Sequence, residues 1–280
     1  MIEAPEALLQ AEQLNETVRR KRITDVIARH TPHKFAWFHG DPDNYAELLG
    51  GRQVERSRAF GGHIEISAGD MRLLLSEGVN LRWYAPGERL PDKHQLLVAF
   101  DDESCLVASV RMYGGLMCFR EGTLDGPFRP YYESAKAKPQ VMSGAFDRAY
   151  FQRLADREGA AGKSAKAFLA TGQTIPGLGN GVLQDILFRA RIHPKTKTGD
   201  LAADRMNALF DSIVGVLGEM YRLGGRDSET DLFGRRGDYI PILSKNTLGR
   251  PCPRCGEPIR KETYLGGTVY YCPGCQPYRK

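Results

Sequence analysis

The feature that most constrains this chain is a set of four cysteines near its end. Cys252 and Cys255 form one CxxC pair, sixteen residues follow, and Cys272 and Cys275 form a second pair. Two such pairs supply four thiolates for tetrahedral coordination, and the segment between them suits a β-hairpin. A segment of about forty residues cannot build its own core, so a bound metal would supply most of its folding energy. The spacing predicts one structural Zn²⁺ site in a C-terminal finger, and it argues against the alternative of redox dithiols.

Composition places the rest of the chain among soluble globular proteins. Of its 280 residues, 41% are hydrophobic and 26% are charged. No apolar run is long enough for a membrane span, and the first 25 residues are too charged for a signal peptide, which predicts a cytoplasmic protein with no membrane partner. Cys105 and Cys118 lie in strand-like runs and are interpreted as small buried residues.

Hydrophobic spacing divides the chain into parts. Residues 3–19 have the pattern of an amphipathic helix, and helical spacing occupies 146–224. Between 23 and about 121 there are short β-like runs, at 23–28, 62–67, 71–75, 94–100 and 104–113. Residues 225–240 are polar and glycine-rich, which predicts a mobile loop. The predicted fold class is multidomain α+β, with an N-terminal antiparallel β-sandwich and flanking helices over 1–130, a linker over 131–143, a helical domain over 144–240 and the finger over 241–280.

A second sharp motif is IPGLGNGVLQDILFRARIHP, residues 175–194. Gly177 and Gly179 permit a tight turn, after which Asn180 is predicted to cap the following helix. A helix N-terminus with free N–H groups is a ready phosphate site, although a plain helix–turn–helix packing turn is an open alternative. Further along the chain, Asp200 is predicted to cap a longer helix that ends at Gly224.

The net charge of +5 is concentrated at the C-terminal end. Between residues 241 and 280, seven Lys and Arg residues stand against two acids, so the first 240 residues are formally neutral. A basic segment on a neutral body indicates contact with a polyanion, and Lys245 is its candidate nucleic-acid-binding residue. A solvated basic tail is the alternative that charge alone leaves open.

Taken in order, these segments resemble the Fpg/Nei family of DNA glycosylases, in which a helix–two-turn–helix module precedes a zinc finger. RMYG at 111–114 is similar to the family's Arg-Arg-Phe-Gly loop, and MIEAPEALL at 1–9 is similar to its Met-Pro-Glu-Leu-Pro-Glu start. The resemblance implies a monomeric, nucleoid-associated bacterial protein of two lobes. Its partner would be damaged duplex DNA, with one nucleotide flipped into a pocket because the glycosidic bond cannot be reached inside a stacked duplex.

The resemblance also implies roles for individual residues. Asn180 would bind a phosphate, Arg111 would meet the orphaned base, and Tyr113 would be the aromatic wedge in the gap. The segment 225–240 would cover the flipped base. For Arg111 and Tyr113, an ordinary strand with a charged face is the alternative.

Three positions depart from the family pattern. Ile2 stands where the family exposes a proline amine that attacks the sugar C1′, so the proline-imine chemistry is absent, and a bulky second residue predicts that Met1 is retained. No lysine occurs between 56 and 70, where the family has one in a β-hairpin and this chain has His63. Gly267 stands where the zinc hairpin normally has an arginine. The last two changes remove cations that hold phosphates.

Two acids of the family pattern remain, and they are the candidate catalytic residues. A carboxylate such as Glu3 can activate water or stabilise an oxocarbenium-like transition state, with Glu6 supporting the N-terminal turn. The alternative is that both are helix-start acids that favour the macrodipole. His63 is a candidate replacement for the missing lysine, against the alternative of an exposed hairpin histidine.

The leading hypothesis is therefore a divergent DNA glycosylase that hydrolyses the N-glycosidic bond through Glu3 without efficient lyase activity. An imine formed by another amine, that of Met1 or of a lysine, is a weaker variant. The rival is a catalytically degenerate protein that binds damaged or distorted DNA. An RNA-binding zinc-finger protein would explain the basic segment but not the Asn180 turn.

Overall fold

The computed structural model describes residues 2–76 and 78–278. The helices of this part of the chain are α1 (Ala4–Thr17), α2 (Tyr45–Leu49), α3 (Arg129–Ala137), α4 (Arg148–Ala155), α5 (Ala165–Ala170), α6 (Asn180–Arg189) and α7 (Ala203–Arg222). The strands are β1 (Ile23–Ala28), β2 (Ala36–Phe38), β3 (Arg56–Phe60), β4 (His63–Ala68), β5 (Met71–Leu75), β6 (Val79–Tyr84), β7 (Leu96–Phe100), β8 (Cys105–Val110), β9 (Gly114–Arg120), β10 (Arg260–Tyr264) and β11 (Gly267–Tyr271). Within the described residues, no helix is both long and apolar enough to cross a membrane.

Strands β1 to β9 form the β-sandwich that the sequence predicts. One sheet has the order β1-β7-β8-β6, and the other has the order β2-β9-β5-β4-β3 with only the β2–β9 pair parallel. Alternate residues of each sheet, such as Leu73 and Leu75 on β5 and Leu96 and Val98 on β7, are buried in one shared core. The short β-like runs separated by turns are explained by this arrangement, because each strand has one face on the core.

The helical half has a second core, and α1 joins the two. Leu183 on α6 and Leu217 on α7 are fully buried in the helical core, which also includes Ala4 at the start of α1. Ala7 and Leu14, further along α1, belong instead to the sandwich core. The N-terminal residues therefore lie at the junction of the two halves, where a side chain can contact both.

The four-cysteine segment forms a hairpin of β10 and β11 that packs against α6. Phe188 on α6 shares an apolar cluster with Ile259 and three of the cysteines. The Gln184 side chain donates to the Thr268 carbonyl at 3.1 Å and accepts from the Tyr270 N–H at 3.1 Å. These two hydrogen bonds fix the register of the hairpin on the helix.

The predicted linker over 131–143 begins inside a helix, and the predicted cap at Asp200 was wrong. The first part of the linker belongs to α3, because Tyr132 and Ala135, three residues apart, bury one helical face against Phe60 and Phe119 of the sandwich. Asp200 lies in a 3₁₀ turn, and the long helix begins after Ala202, whose side chain makes no capping hydrogen bond. Packing of the apolar face of α7 stabilises this helix without a side-chain cap.

Candidate active site and nucleic-acid interface

Glu3 is a capping residue for a helix far away in the sequence. Its Oε2 accepts from the N–H groups of Gly179 and Val182 at 3.1 and 2.9 Å, and its Oε1 accepts from the Gly181 N–H at 2.8 Å. The fourth partner is Arg226, whose Nη1 lies 3.5 Å from Oε1. A carboxylate has about four acceptor positions, so this buried side chain, 5% exposed, has all of them occupied.

Glu6 is saturated in the same way. Its Oε1 accepts from the backbone N–H and the Nε of Arg226 at 3.2 and 2.8 Å. Its Oε2 accepts from Arg226 Nη2 and from the Glu3 N–H, both at 3.0 Å. Burial disfavours the charge on Glu6, but the charge and hydrogen bonds of Arg226 outweigh it and lower the pKa of this carboxyl.

Arg226 completes a buried triad with these two acids and was missed in the sequence. Only 4% of Arg226 is exposed, and although burial opposes its charge, the carboxylates of Glu3 and Glu6 raise the pKa of the guanidinium. The predicted role of Glu3 in proton transfer does not fit this geometry, because both of its oxygens are engaged in a structural contact. Nothing in the local sequence distinguishes Arg226 from Arg235 or Arg236, which are exposed in the same glycine-rich segment.

The segment 225–240 is anchored to the body of the protein, in contrast to the predicted mobile loop. Leu232 is fully buried in the sandwich core, and Tyr239 is buried in the helical core. Two side chains of α1 bind the middle of the segment 225–240. Gln10 donates to the Thr230 carbonyl at 2.9 Å, and Gln13 accepts from the Leu232 N–H at 3.0 Å. Glycines in the sequence indicated turns, but the apolar residues between them decide the packing.

The glycine–asparagine turn has the predicted place but a different cap. The N-cap of α6 is Gly179, and Asn180 is the first helical residue rather than the cap. Glu3 takes three N–H groups of this helix start, so they are not available to a phosphate. The Asn180 side chain is exposed instead, and any phosphate contact here would fall to its amide.

Asn180 and Lys245, the candidate residues for contact with phosphate and nucleic acid, line one groove of about 400 Å³. The groove also contains Thr268 and Tyr270 of the finger and Ser228 of the segment 225–240. Beside it, a β-carbon at Gly267 would collide with the Asn180 amide, and Lys166 Nζ lies close to the same point. The chain therefore leaves no space for a side chain at 267 unless Asn180 moves.

Ile2 borders a second pocket of about 260 Å³, next to the loop that contains Arg111 and Tyr113. Ser228 lines both pockets, and Glu229 lines only this one. Ile2 itself is 5% exposed and belongs to the sandwich core. The position that holds a nucleophile in the family pattern is thus an apolar wall here, while the Met1 amine lies outside the described residues.

Arg111 and Tyr113 lie in an exposed loop between β8 and β9, so the alternative of an ordinary strand was wrong. Met112 between them is 70% exposed, and the Tyr113 ring contacts Trp37, with the ring centroids 6.2 Å apart. The loop is therefore exposed, and its aromatic side chain lies beside Trp37 at the border of the pocket.

His63 is buried, in contrast to both sequence-based interpretations. It is 5% exposed, and burial lowers its pKa to about 4. An imidazole that is neutral at pH 7 cannot supply the charge of the missing lysine. The Nδ1 atom has no hydrogen-bond partner among the described residues.

The pKa of His63 predicts a loss of stability in mild acid. Below pH 6.5 the unfolded chain binds a proton that the folded protein does not, so the free energy of unfolding should fall as the pH is lowered from 6.5 towards 4, by up to roughly 1.4 kcal/mol per unit. Urea unfolding of wild type and His63→Leu at several pH values measures this contribution. The variant should have a shallower profile than wild type, because it has no buried imidazole at this position. Equal slopes for His63→Leu and wild type would contradict the assignment.

The four finger cysteines are close enough to bind one metal ion. Their sulfurs all lie within 4.8 Å of one another, with Cys255 and Cys272 at 3.3 Å and Cys252 and Cys275 at 3.8 Å. Tetrahedral thiolates at about 2.3 Å from a metal are separated by similar distances. Cys105 and Cys118 are buried far from this group in the sandwich cores, as predicted.

The β-sandwich, the helices around the glycine–asparagine turn and the four-cysteine hairpin together define a helix–two-turn–helix protein with a four-cysteine finger. The profile of the formamidopyrimidine-DNA glycosylase H2TH domain matches residues 139–231. Formamidopyrimidine-DNA glycosylases of Roseiflexus sp. (strain RS-1) and Methylococcus capsulatus are each 30% identical to this chain, with 99% of this chain and 100% of each relative covered. The chain therefore belongs to the Fpg/Nei family of formamidopyrimidine-DNA glycosylases.

Solved structures agree with the fold. A complex between Lactococcus lactis Fpg and DNA that contains an abasic site superposes with a TM-score of 0.82 at 24% identity, covering 99% of this chain and 100% of that one. The MutM (Fpg) protein of Thermus thermophilus has a TM-score of 0.80 at 22% identity with the same coverage. At these identities the likeness extends to the fold alone.

Proposed function

We propose that this protein is a DNA glycosylase that recognises a damaged nucleotide in duplex DNA, flips it out and hydrolyses its N-glycosidic bond without a proline imine. The observation that carries the proposal is the shared wall at Ser228, where the groove of Asn180 and Lys245 meets the pocket beside Ile2. A phosphate held by Asn180 and Lys245 would set the neighbouring nucleotide at the mouth of that pocket. Extrusion is needed because the sugar C1′ is inaccessible in a stacked duplex.

The loop of Arg111 and Tyr113 borders the same pocket, which supports a role in filling the space that the nucleotide leaves. Tyr113 would enter the base stack and Arg111 would hydrogen-bond to the orphaned base. All these elements lie in one chain, so we propose a monomer as the acting unit in the bacterial nucleoid.

Zinc fits the four-cysteine finger better than a redox role. Four sulfurs around one point satisfy a closed tetrahedral site, and a closed site leaves no position for substrate. The proposed Zn²⁺ would hold β10 and β11 so that Thr268 and Tyr270 complete the groove. It would therefore contribute to DNA binding and not to bond cleavage.

The saturated carboxylates of Glu3 and Glu6 favour a second candidate function, that of a protein that binds damaged DNA without chemistry. One assay distinguishes the two. Duplexes with oxidised, alkylated, bulky or crosslinked bases are incubated with the protein, and base release is scored with and without alkaline cleavage, together with borohydride trapping.

We expect base release from at least one duplex, strand cleavage only after alkali, and no borohydride-trapped complex, because Ile2 offers no secondary amine. Efficient borohydride trapping would refute the proposal that hydrolysis proceeds without an imine. Tight binding without base release from any duplex would favour the second candidate function, binding of damaged DNA without chemistry. In the same assay, Asn180→Ala with Lys245→Ala should weaken binding, and the loss of the Lys245 charge should also reduce the salt dependence of binding. Lys93→Ala, at an exposed sandwich position, is the matched control and should bind as wild type.

A further inference from the structure

The pocket beside Ile2 needs a group that can accept a proton from water, and the family acids do not supply it. Both oxygens of Glu3 and both of Glu6 are engaged by backbone N–H groups and Arg226. Releasing Glu3 for chemistry would leave three N–H groups of α6 and part of the Arg226 guanidinium without an acceptor in a buried place. That release is costly, so a carboxylate that itself lines the pocket is the better candidate.

Glu229 is such a carboxylate. It lines the pocket together with Ile2, Asn80, Arg111 and Tyr113, and it is the one acid among the described residues of that lining. Its Oε1 accepts from the Ser228 hydroxyl at 3.3 Å, and its charge acts on Arg226 at the base of the segment. Because the side chain is partly exposed, water can reach its oxygens from the pocket.

The backbone around Glu229 is fixed, which gives its side chain a defined position. The Glu229 N–H donates to the Arg226 carbonyl at 3.0 Å, and the Glu229 carbonyl accepts from Gly237 at 3.4 Å. The next residue, Thr230, donates from its hydroxyl to Asn80 Oδ1 at 3.2 Å and accepts from Gln10 through its carbonyl. Glu229 is thus connected through Arg226 to the buried triad in which Glu3 has a structural role.

The neighbouring acids of this segment do not compete for the role. Asp227 lines the groove of Asn180 and Lys245 rather than the pocket. Asp231 accepts from the Gln13 side chain and from the N–H groups of Phe233 and Arg235. Asp238 is exposed and lines neither pocket.

We propose that Glu229 is the catalytic residue that activates water for base release in this chain, an inference that depends on the proposed glycosylase function. The water oxygen forms a bond to the sugar C1′ while the C1′–N bond breaks, and the bonding pair leaves with the nitrogen of the damaged base. The Glu229 carboxylate accepts the proton of the water and afterwards returns it to the departing base. No oxidant, metal or amine takes part, and the products are the free base and an intact abasic site.

The test is single-turnover base release by the full chain with its metal, using a duplex that the wild type processes. Glu229→Gln should lower the rate constant at least about 100-fold, which is the usual contribution of general-base catalysis, while affinity for the duplex changes less than about threefold. Asp238→Asn should release the base at the wild-type rate. Glu229→Asp, which keeps the carboxylate but shortens the side chain, should recover part of the release rate that Glu229→Gln loses.

The outcomes separate this inference from the proposed function. Release by Glu229→Gln at the wild-type rate would overturn the role of Glu229 and leave the glycosylase proposal intact. If Glu229→Gln lost duplex affinity by the same factor as its rate of base release, Glu229 would bind the nucleotide and would not be a catalytic residue. Binding without release by the wild type would overturn the glycosylase proposal and the role of Glu229 with it.

Discussion

Replacing Arg226 by methionine is expected to lower the free energy of unfolding by about 3–5 kcal/mol, because two buried carboxylates would lose their counter-charge. Glu3 and Glu6 are 5% and 2% exposed, and Arg226 donates to both of them through its guanidinium. Methionine has a similar length and leaves no large cavity, so the loss reports on charge rather than on packing. Thermal unfolding should show a fall in Tm of about 10 °C or more.

A matched arginine and a neutralised triad serve as controls for this prediction. Arg236→Met, at an exposed position in the same segment, should leave Tm within a few degrees of wild type. Arg226→Met combined with Glu3→Gln and Glu6→Gln should be less destabilised than the sum of the separate changes, because no unpaired charge remains buried. A fully additive result would show that the triad does not act as one charge network.

Loss of the finger metal is expected to have the second large effect, on DNA binding. Metal binding supplies on the order of 10 kcal/mol of folding energy in isolated fingers, and the apolar cluster around Phe188 and Ile259 is small. Chelation or Cys272→Ser should therefore unfold the hairpin and displace Thr268 and Tyr270 from the groove of Asn180. We expect a loss of at least about tenfold in duplex affinity, equivalent to about 1.4 kcal/mol.

The body of the protein should survive this change, because the sandwich and the helical half have their own cores. Circular dichroism should therefore retain the main unfolding transition, and metal analysis should give one zinc per wild-type chain and none for Cys272→Ser. Cys118→Ser removes a buried thiol outside the finger and should keep the zinc and the affinity. A wild-type metal content well below one per chain would refute the closed site.

Local patterns predicted most of the secondary structure. The runs at 23–28 and 71–75 are strands β1 and β5 with the same bounds, and the motif after Gly179 is helix α6. Here short-range signals agree with the tertiary structure: short apolar runs bounded by turns form strands, and a glycine turn is followed by helical spacing. Strands β2, β3, β6 and β9 were not recognised; β3 and β6 have charged or aromatic residues on the exposed face.

Errors arose where an element is stabilised by a partner rather than by its own sequence. Helix α3 has prolines around it and resembled a linker, yet Tyr132 fixes it on the sandwich. His63 resembled a surface histidine in a turn, yet its side chain is among the buried residues of β4. Burial depends on which surfaces meet, and spacing along one chain does not contain that information.

The sequence by itself determined the family, the finger with its four thiolates, and the absence of a proline amine at position 2. Those conclusions depend on residue identities and on short spacings, both of which can be observed directly in a single sequence. The tertiary structure alone decided what Glu3 and Glu6 do. Glu3 accepts from Gly179, 176 residues along the chain, and Glu6 accepts from Arg226, 220 residues along it. A carboxylate acts as a base or as a structural cap according to the donors around it. Only the folded structure therefore shows that Glu3 is a cap, and only the folded structure makes Glu229 the candidate base.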